Sequence, residues 1–278
     1  MLSSPLAMQT PEQIREHYEI EKGLADQLRR SNKAERALLY PQLYDELFRR
    51  VPHHPMLQRR DDARERATAV AVRMALVGRF LRSDTVFLEV GAGDCTLTRE
   101  VAKRVKRCYA IDVSQEIANL GGPSNMLTIL SDGCSIPVPD GSVTLAYSNQ
   151  LMEHVHPDDA FEQLRNLYRA LAAGGRYVCA TPSRLNGPHD VSRYFDSVAC
   201  GFHLKEYTYS ELAVLFRRIG FRQLAPYAEF RLRYIRIPLS VLIAFEWVLE
   251  RLPHRVARWI ASLRGIRKVL FISLVATK

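Results

Sequence analysis

The chain has 278 residues, 47% of them apolar and 25% charged, which suffices to bury a full core in one enlarged domain or a domain with a cap. Its five cysteines (Cys95, Cys108, Cys134, Cys179, Cys200) are scattered, with no Cys/His group at zinc spacing. That argues against a disulfide framework or a metal site and for a reducing, cytoplasmic setting. The net charge of +9 is uneven: residues 231–268 hold eight arginines and one lysine against Glu246 and Glu250, yet match no nucleic-acid-binding motif, so anionic partners other than nucleic acid are expected.

From Gln9 to Arg36 the chain is polar, which is unlike a secretory signal, and Ile14, Tyr18, Leu24 and Leu28 recur at helical spacing. Residues 37–56 read as a loop with apolar anchors (Leu39, Tyr40, Leu43, Tyr44, Leu47, Phe48) that ends at Val51-Pro52-His53-His54-Pro55. A helix is expected over 61–82, from Asp61-Asp62 at its acidic start to Arg79 and Arg82 at its basic end.

The stretch Val86-Phe87-Leu88-Glu89-Val90-Gly91-Ala92-Gly93-Asp94-Cys95 follows. It predicts a buried strand, a Gly-x-Gly turn and a helix from about Thr96. Glycine lets the backbone approach a ligand closely, and the turn lies at a strand's carboxyl end, where open α/β sheets bind their ligands. Asp112 closes the next apolar run, nineteen residues after Gly93, a spacing that suits an acid holding ribose hydroxyls. The third glycine of a dinucleotide fingerprint is replaced by Thr96, and no P-loop pattern is present. A nucleoside without phosphates fits better than a nicotinamide dinucleotide or a triphosphate, and S-adenosylmethionine is the common one.

Further strands are expected near 126–130, 142–147 and 175–181, alternating with helices, which implies a parallel sheet with right-handed crossovers. The pair Gly174-Gly175 reads as a helix stop. A helix from Thr208 or Ser210 to Ile219, a sixth strand near 221–229 and a final apolar strand from Val269 to Ala276 complete the pattern.

These ordered blocks resemble the class I S-adenosylmethionine-dependent methyltransferases, in particular the broad small-molecule group often called type 11, from about Tyr44 to Phe221. The resemblance implies an α/β fold: a Rossmann-like seven-stranded sheet whose last strand enters antiparallel between strands five and six. N-terminal helices precede the sheet, and a helical insertion precedes its last strand. It implies a helical cap over 1–60 and a methyltransferase domain over 61–278 that includes the basic insertion 231–268. By resemblance, Glu89, Gly91, Ala92 and Gly93 surround the methionine part of the cofactor, Asp112 holds its ribose and Asp132-Gly133 accepts from its adenine amino group. Asn149, in the "leucine-x-His" region with His154, also borders the cofactor, and Tyr44 closes over it. The chain departs from the family in carrying Cys95 where a further glycine is common, and in lacking the usual acid at the end of strand four.

The activity implied is in-line methyl transfer from S-adenosylmethionine to a small-molecule or glycan-like acceptor at oxygen. Candidate general bases are His154, His189 and His203, since a histidine near neutral pH suits a hydroxyl acceptor. His189 and His203 lie in a polar insertion after strand five, expected to border the cofactor. There Arg184, Asp190, Arg193 and Tyr194 are candidate acceptor contacts. Two alternatives stay open: methylation of a lipid or quinone at the membrane surface, with 231–268 as the peripheral contact, and cofactor binding without catalysis. A nicotinamide oxidoreductase is disfavoured by Thr96.

Overall fold

The computed structural model describes residues 9–116, 121–231 and 233–278; the first eight residues of the expected cap and Leu232 of the insertion lie outside them. The described N-terminal residues form three helices: α1 (Pro11–Arg30), α2 (Lys33–Arg50) and α3 (Pro55–Asp61). Capping boxes start the first two, Thr10 with Gln13 and Asn32 with Glu35. The expected loop over 37–56 is therefore mostly helix. Pro41 sits inside α2, where a missing N–H and a ring clash cost about 3 kcal/mol. The anchors Tyr40, Leu43, Leu47 and Phe48 recur at helical spacing, and their shared burial outweighs that cost. Tyr40, Leu43 and Leu47 pack with Leu24, Leu28 and Phe202. Arg36 ties this layer down through a bidentate pair with Asp159, Nε to Oδ2 at 2.6 Å and Nη2 to Oδ1 at 2.7 Å.

Asp62 caps α4 (Ala63–Val77) by accepting from Arg64 and Glu65 N–H groups. The central strands follow: β1 (Val86–Val90), β2 (Arg107–Asp112), β3 (Met126–Leu130), β4 (Val143–Asn149), β5 (Leu171–Thr181), β6 (Gln223–Phe230), β7 (Arg233–Arg236) and β8 (Ile272–Thr277). Their order is β3-β2-β1-β4-β5-β8-β6-β7. β8 runs antiparallel to both β5 and β6, as the resemblance implies. Among the described residues the sheet has eight strands rather than seven because β7 folds back on β6 as a hairpin, Tyr227 opposite Arg236. The expected helix stop at Gly174-Gly175 is instead part of β5. The preceding helix ends at Ala170, and the pairing slips between Val143 and Leu145, with Gly174 at φ +71°.

Both faces of the sheet are covered, so neighbouring strand residues are buried on opposite sides. Leu88, Val90 and Ile111 pack towards α6 (Pro157–Ala170) and α7 (Tyr209–Ile219), among Leu164, Leu167, Leu212 and Phe216. Phe87, Cys108 and Leu145 pack towards α4 and α5 (Thr96–Ala102), among Leu76, Leu97 and Val101. The basic insertion forms α8 (Leu239–Arg251), α9 (His254–Ser262) and α10 (Arg264–Leu270). Glu246 anchors α8 by accepting from the N–H groups of Tyr209 and Ser210 at 2.7 and 2.9 Å, which caps α7 from outside. No described helix is long and apolar enough to cross a membrane. The strand order reverses between β1 and β4, and that switch point opens the site.

Candidate cofactor and active site

The turn after β1 is drawn tight by two hydrogen bonds, from Gly91 N and Ala92 N to the carbonyl of Ile111. Gly91 lies at φ +73°, and a Cβ there would come 3.1 Å from Leu151 Cδ1. Gly93 and Cys95 also take left-handed conformations, at φ +54° and +59°. The cysteine accepts a conformation that costs a side-chain-bearing residue about 1–2 kcal/mol. Asp112 Oδ2 accepts from Gly93 N at 2.7 Å, and Oδ1 from Val113 N and Ser114 N at 2.8 and 3.1 Å. Burial raises its pKa, and these three donors work against that rise. A carboxylate has about four lone-pair positions, so one remains for a ligand hydroxyl.

A cavity of about 260 Å³ opens at the carboxyl ends of β1, β2 and β4. Of the residues expected around the cofactor, Tyr44, Glu89, Gly91, Ala92, Asp112, Gly133 and Asn149 line it. Gly93 acts one step removed, through its hydrogen bond to Asp112. Asp132 does not line it. Its carboxylate accepts from Cys134 N, Ser135 N and Ser135 Oγ at 2.9, 2.6 and 2.8 Å, capping its own turn. Gly133 forms the wall instead, at φ +88°, with the Tyr40 ring so close that a Cβ would meet it at 2.9 Å.

Tyr44 reaches the cavity from α2. Its ring stacks on Phe202 at 4.5 Å between centroids and meets His154 edge-on. Its hydroxyl is buried and has no hydrogen-bond partner among the described residues. A buried hydroxyl without a partner costs free energy, so one in a cavity wall is a place for a ligand. Glu89 is buried and hydrogen-bonded by Thr98 Oγ1. Burial pushes its pKa up to about 7, against the pull of Arg73 and the Thr98 hydrogen bond. Sequence reasoning missed the α4 wall, Arg66, Ala69, Val70 and Arg73. Their spacing of three, four and seven residues puts them on one helical face, which was the available signal.

The three candidate bases separate. His154 lines the cavity. Its Nδ1 lies 3.1 Å from the carbonyl of Phe202, and burial, with His203 beside it, pushes its pKa down to about 3. Such a ring is neutral at pH 7 but a weak proton acceptor. His203 does not line the cavity. It is paired to Glu206 at 2.7 Å; burial would lower its pKa, but Glu206 and Glu153 raise it to about 9. His189 is occupied by the Ser183 carbonyl and Asn186, both at 3.1 Å.

The candidate acceptor contacts also lie away from the cavity lining. Asp190 accepts from Ser192 N and Gly201 N at 3.0 and 2.8 Å. Arg184 is exposed and pairs with Glu211 and Glu250. Arg193 lies over the exposed ring of Tyr194. The insertion after β5 thus spends its polar side chains on its own backbone and on neighbouring helices, a need that outranks facing the site.

Three features fit S-adenosylmethionine: the left-handed glycine turn, a carboxylate with one open position 2.7 Å from that turn, and an unpartnered tyrosine hydroxyl opposite. Residues 88–179 match the family described as a methyltransferase domain. The strand order is the one that the resemblance to class I S-adenosylmethionine-dependent methyltransferases implies. Among curated proteins it is similar to demethylmenaquinone methyltransferase of Corynebacterium efficiens, 32% identical over 96 residues, which is 34% of this chain and 40% of that protein. Two solved structures share the fold. One is the methyltransferase in complex with the Trm112 methyltransferase activator of Haloferax volcanii (TM-score 0.55, 17% identity, covering 80% of this chain and 95% of that one). The other is a SAM dependent methyltransferase of Archaeoglobus fulgidus (TM-score 0.51, 16% identity, covering 77% and 94%).

Proposed function

We propose that the protein transfers the methyl group of S-adenosylmethionine to a small-molecule acceptor at oxygen. The cavity at the sheet's switch point, with Asp112 beside the glycine turn and the Tyr44 hydroxyl opposite, carries this reading. The cofactor supplies an already activated methyl group. The chain's part is to hold donor and acceptor in line, exclude water and present polar groups to the acceptor. Asp112 and the Gly91–Gly93 turn hold the nucleoside end, Glu89 sits where a positive group would favour its ionised form, and Tyr44 closes the other side. His154 is the histidine among the three candidates that lines the cavity, and it serves better as a neutral hydrogen-bonding wall than as a base.

Within that reading, the acceptor is an apolar, hydroxyl-bearing molecule met at a membrane surface. Two observations favour this over a glycan. The polar insertion that suggested a glycan turns away from the cavity. The basic insertion exposes Trp247, Trp259, Val248, Val256 and Leu263 beside Arg251, Arg255, Arg258 and Arg264. Exposed tryptophan among arginines suits the headgroup boundary of an anionic bilayer. The similar Corynebacterium protein is named for a quinone substrate, which agrees.

Calorimetry with S-adenosylhomocysteine tests the first part; absence of binding at millimolar ligand refutes it. Incubation with methyl-labelled cofactor and either a lipid extract or an aqueous metabolite pool tests the second. Label in the lipid fraction supports the membrane acceptor, and label confined to the aqueous fraction returns the glycan. Binding with no transfer to either leaves a cofactor-binding protein without catalysis.

A further inference from the structure

We propose that Glu153, His154 and His203 form a binding site for one divalent transition-metal ion behind the wall of the cofactor cavity, which His154 lines. One ligand atom from each residue lies within 4.8 Å of those of the other two. Glu153 supplies the independent sign. It is wholly buried, its Oε2 accepts from Thr181 Oγ1 at 2.7 Å, and its Oε1 has no hydrogen-bond partner among the described residues. His203 pairs with Glu206, not with Glu153. A bare carboxylate oxygen in the interior is costly unless a donor or a cation meets it.

Each imidazole is held through one ring nitrogen, as metal-bound rings are held by the nitrogen that does not bind the ion. His154 uses Nδ1 on the Phe202 carbonyl at 3.1 Å, and His203 uses Nδ1 on Glu206 Oε1 at 2.7 Å. That leaves Nε2 of each ring as the nitrogen to bind, His203 giving up a proton to the solvent as the ion enters. The orienting carboxylate is itself fixed, since Glu206 Oε1 also accepts from His189 N at 2.7 Å. The rings meet edge to face, 4.8 Å between centroids. Ligands bound at about 2.1 Å to one ion lie roughly 3–4 Å apart, so the group needs to close by about 1 Å.

Two imidazoles and one carboxylate suit Zn²⁺, Co²⁺, Fe²⁺ or Mn²⁺ rather than Ca²⁺ or Mg²⁺, which prefer all-oxygen sets. Three protein ligands leave a further position for water or a ligand oxygen. Since His154 lines the cavity, that position would suit an acceptor hydroxyl, a consequence that rests on the methyl-transfer reading. Sequence spacing held no such signature because His203 stands fifty residues beyond Glu153.

The test uses the full chain, stripped with a chelator and titrated with Co²⁺ followed by visible absorption and with Zn²⁺ followed by calorimetry. One ion per chain is expected, with a ligand-field spectrum showing nitrogen donors. Glu153→Gln and His203→Ala should each weaken Co²⁺ binding by about 100-fold, and Glu206→Gln by about 10-fold through lost orientation of His203. Retained S-adenosylhomocysteine binding shows that each variant is folded. His17, Glu21 and His54 form the other such group among the described residues, so His54→Ala is the control and should leave the spectrum unchanged. Absent Co²⁺ binding, or binding that survives both Glu153→Gln and His203→Ala, or that disappears with His54→Ala, overturns the proposal. A protein that binds S-adenosylhomocysteine but no ion refutes this site alone. One that binds the ion but no S-adenosylhomocysteine supports this site while refuting the cofactor reading.

Discussion

Tyr44→Phe removes one oxygen and should move stability and ligand affinity in opposite directions. In the free protein the Tyr44 hydroxyl is buried without a partner, between Phe202 and His154. A buried hydroxyl left unpaired costs about 1–3 kcal/mol, so deleting it should stabilise the free protein by about 1 kcal/mol after some relaxation. For a chain of this size that is a rise of roughly 2–4 °C in melting temperature. If the hydroxyl meets the cofactor, the same change removes a hydrogen bond worth about 1 kcal/mol, so Kd for S-adenosylhomocysteine should rise about fivefold. Scanning calorimetry on free protein and isothermal titration with S-adenosylhomocysteine measure the two effects. A variant that melts lower when free and binds as tightly as the parent would refute the reasoning. Tyr44 would then be a core anchor whose hydroxyl has another use.

Asp112→Asn should lower S-adenosylhomocysteine affinity about 10- to 100-fold by removing a charged acceptor from the ribose, and should cost about 1.5–3 kcal/mol of stability because an amide NH₂ would face the Gly93 N–H; urea melts and calorimetry check both. Glu89, with its pKa raised from 4.5 to about 7, contributes stability that is fully present below pH 4.5 and is lost as pH rises through 7. Free parent protein should therefore lose stability relative to Glu89→Gln between pH 5 and 8. Its affinity for S-adenosylhomocysteine, whose ammonium favours the ionised acid, should rise about tenfold from pH 6 to a plateau above 7; a flat profile for the parent would contradict this. Arg36→Ala leaves Asp159 buried without its partner and should cost about 3–5 kcal/mol, while Arg36→Ala with Asp159→Ala should recover part of it in a double-mutant cycle. Trp247→Ala with Trp259→Ala should lower sedimentation with anionic vesicles about tenfold without changing S-adenosylhomocysteine binding; unchanged sedimentation would remove the membrane reading.

The Rossmann-like order was legible because each piece is local. Apolar runs of five or six residues, the Gly91-x-Gly93 turn and Asp112 at the next strand's end are signals carried by neighbouring residues. β7 was not legible: four residues, Arg-Tyr-Ile-Arg, inside a basic segment give too short an alternation. α2 was legible and misread as a loop ending at Val51-Pro52-His53-His54-Pro55, although Tyr40, Leu43, Leu47 and Phe48 stand at a helical spacing that the structure honours. Asp132 was placed at the right turn, but the N–H groups of Cys134 and Ser135 claimed its Oδ1 and the Ser135 hydroxyl its Oδ2 before any ligand could.

The chain's order of residues was enough to determine a parallel sheet, a final apolar strand and the ligand turn beside β1 and β2, while the antiparallel entry of that strand was implied by the family resemblance. Backbone conformation and period-two burial depend on residues close by, and those are written side by side. Which side chains face the cavity was decided only in the folded molecule. Tyr44 arrives on a helix packed under Phe202, more than 150 residues later. His154 meets His203 across a shorter gap of 49 residues, while His189, Arg184 and Asp190 are drawn off by their own loop and nearby helices. Such choices turn on which buried polar groups can be satisfied at once, a property of the packed whole.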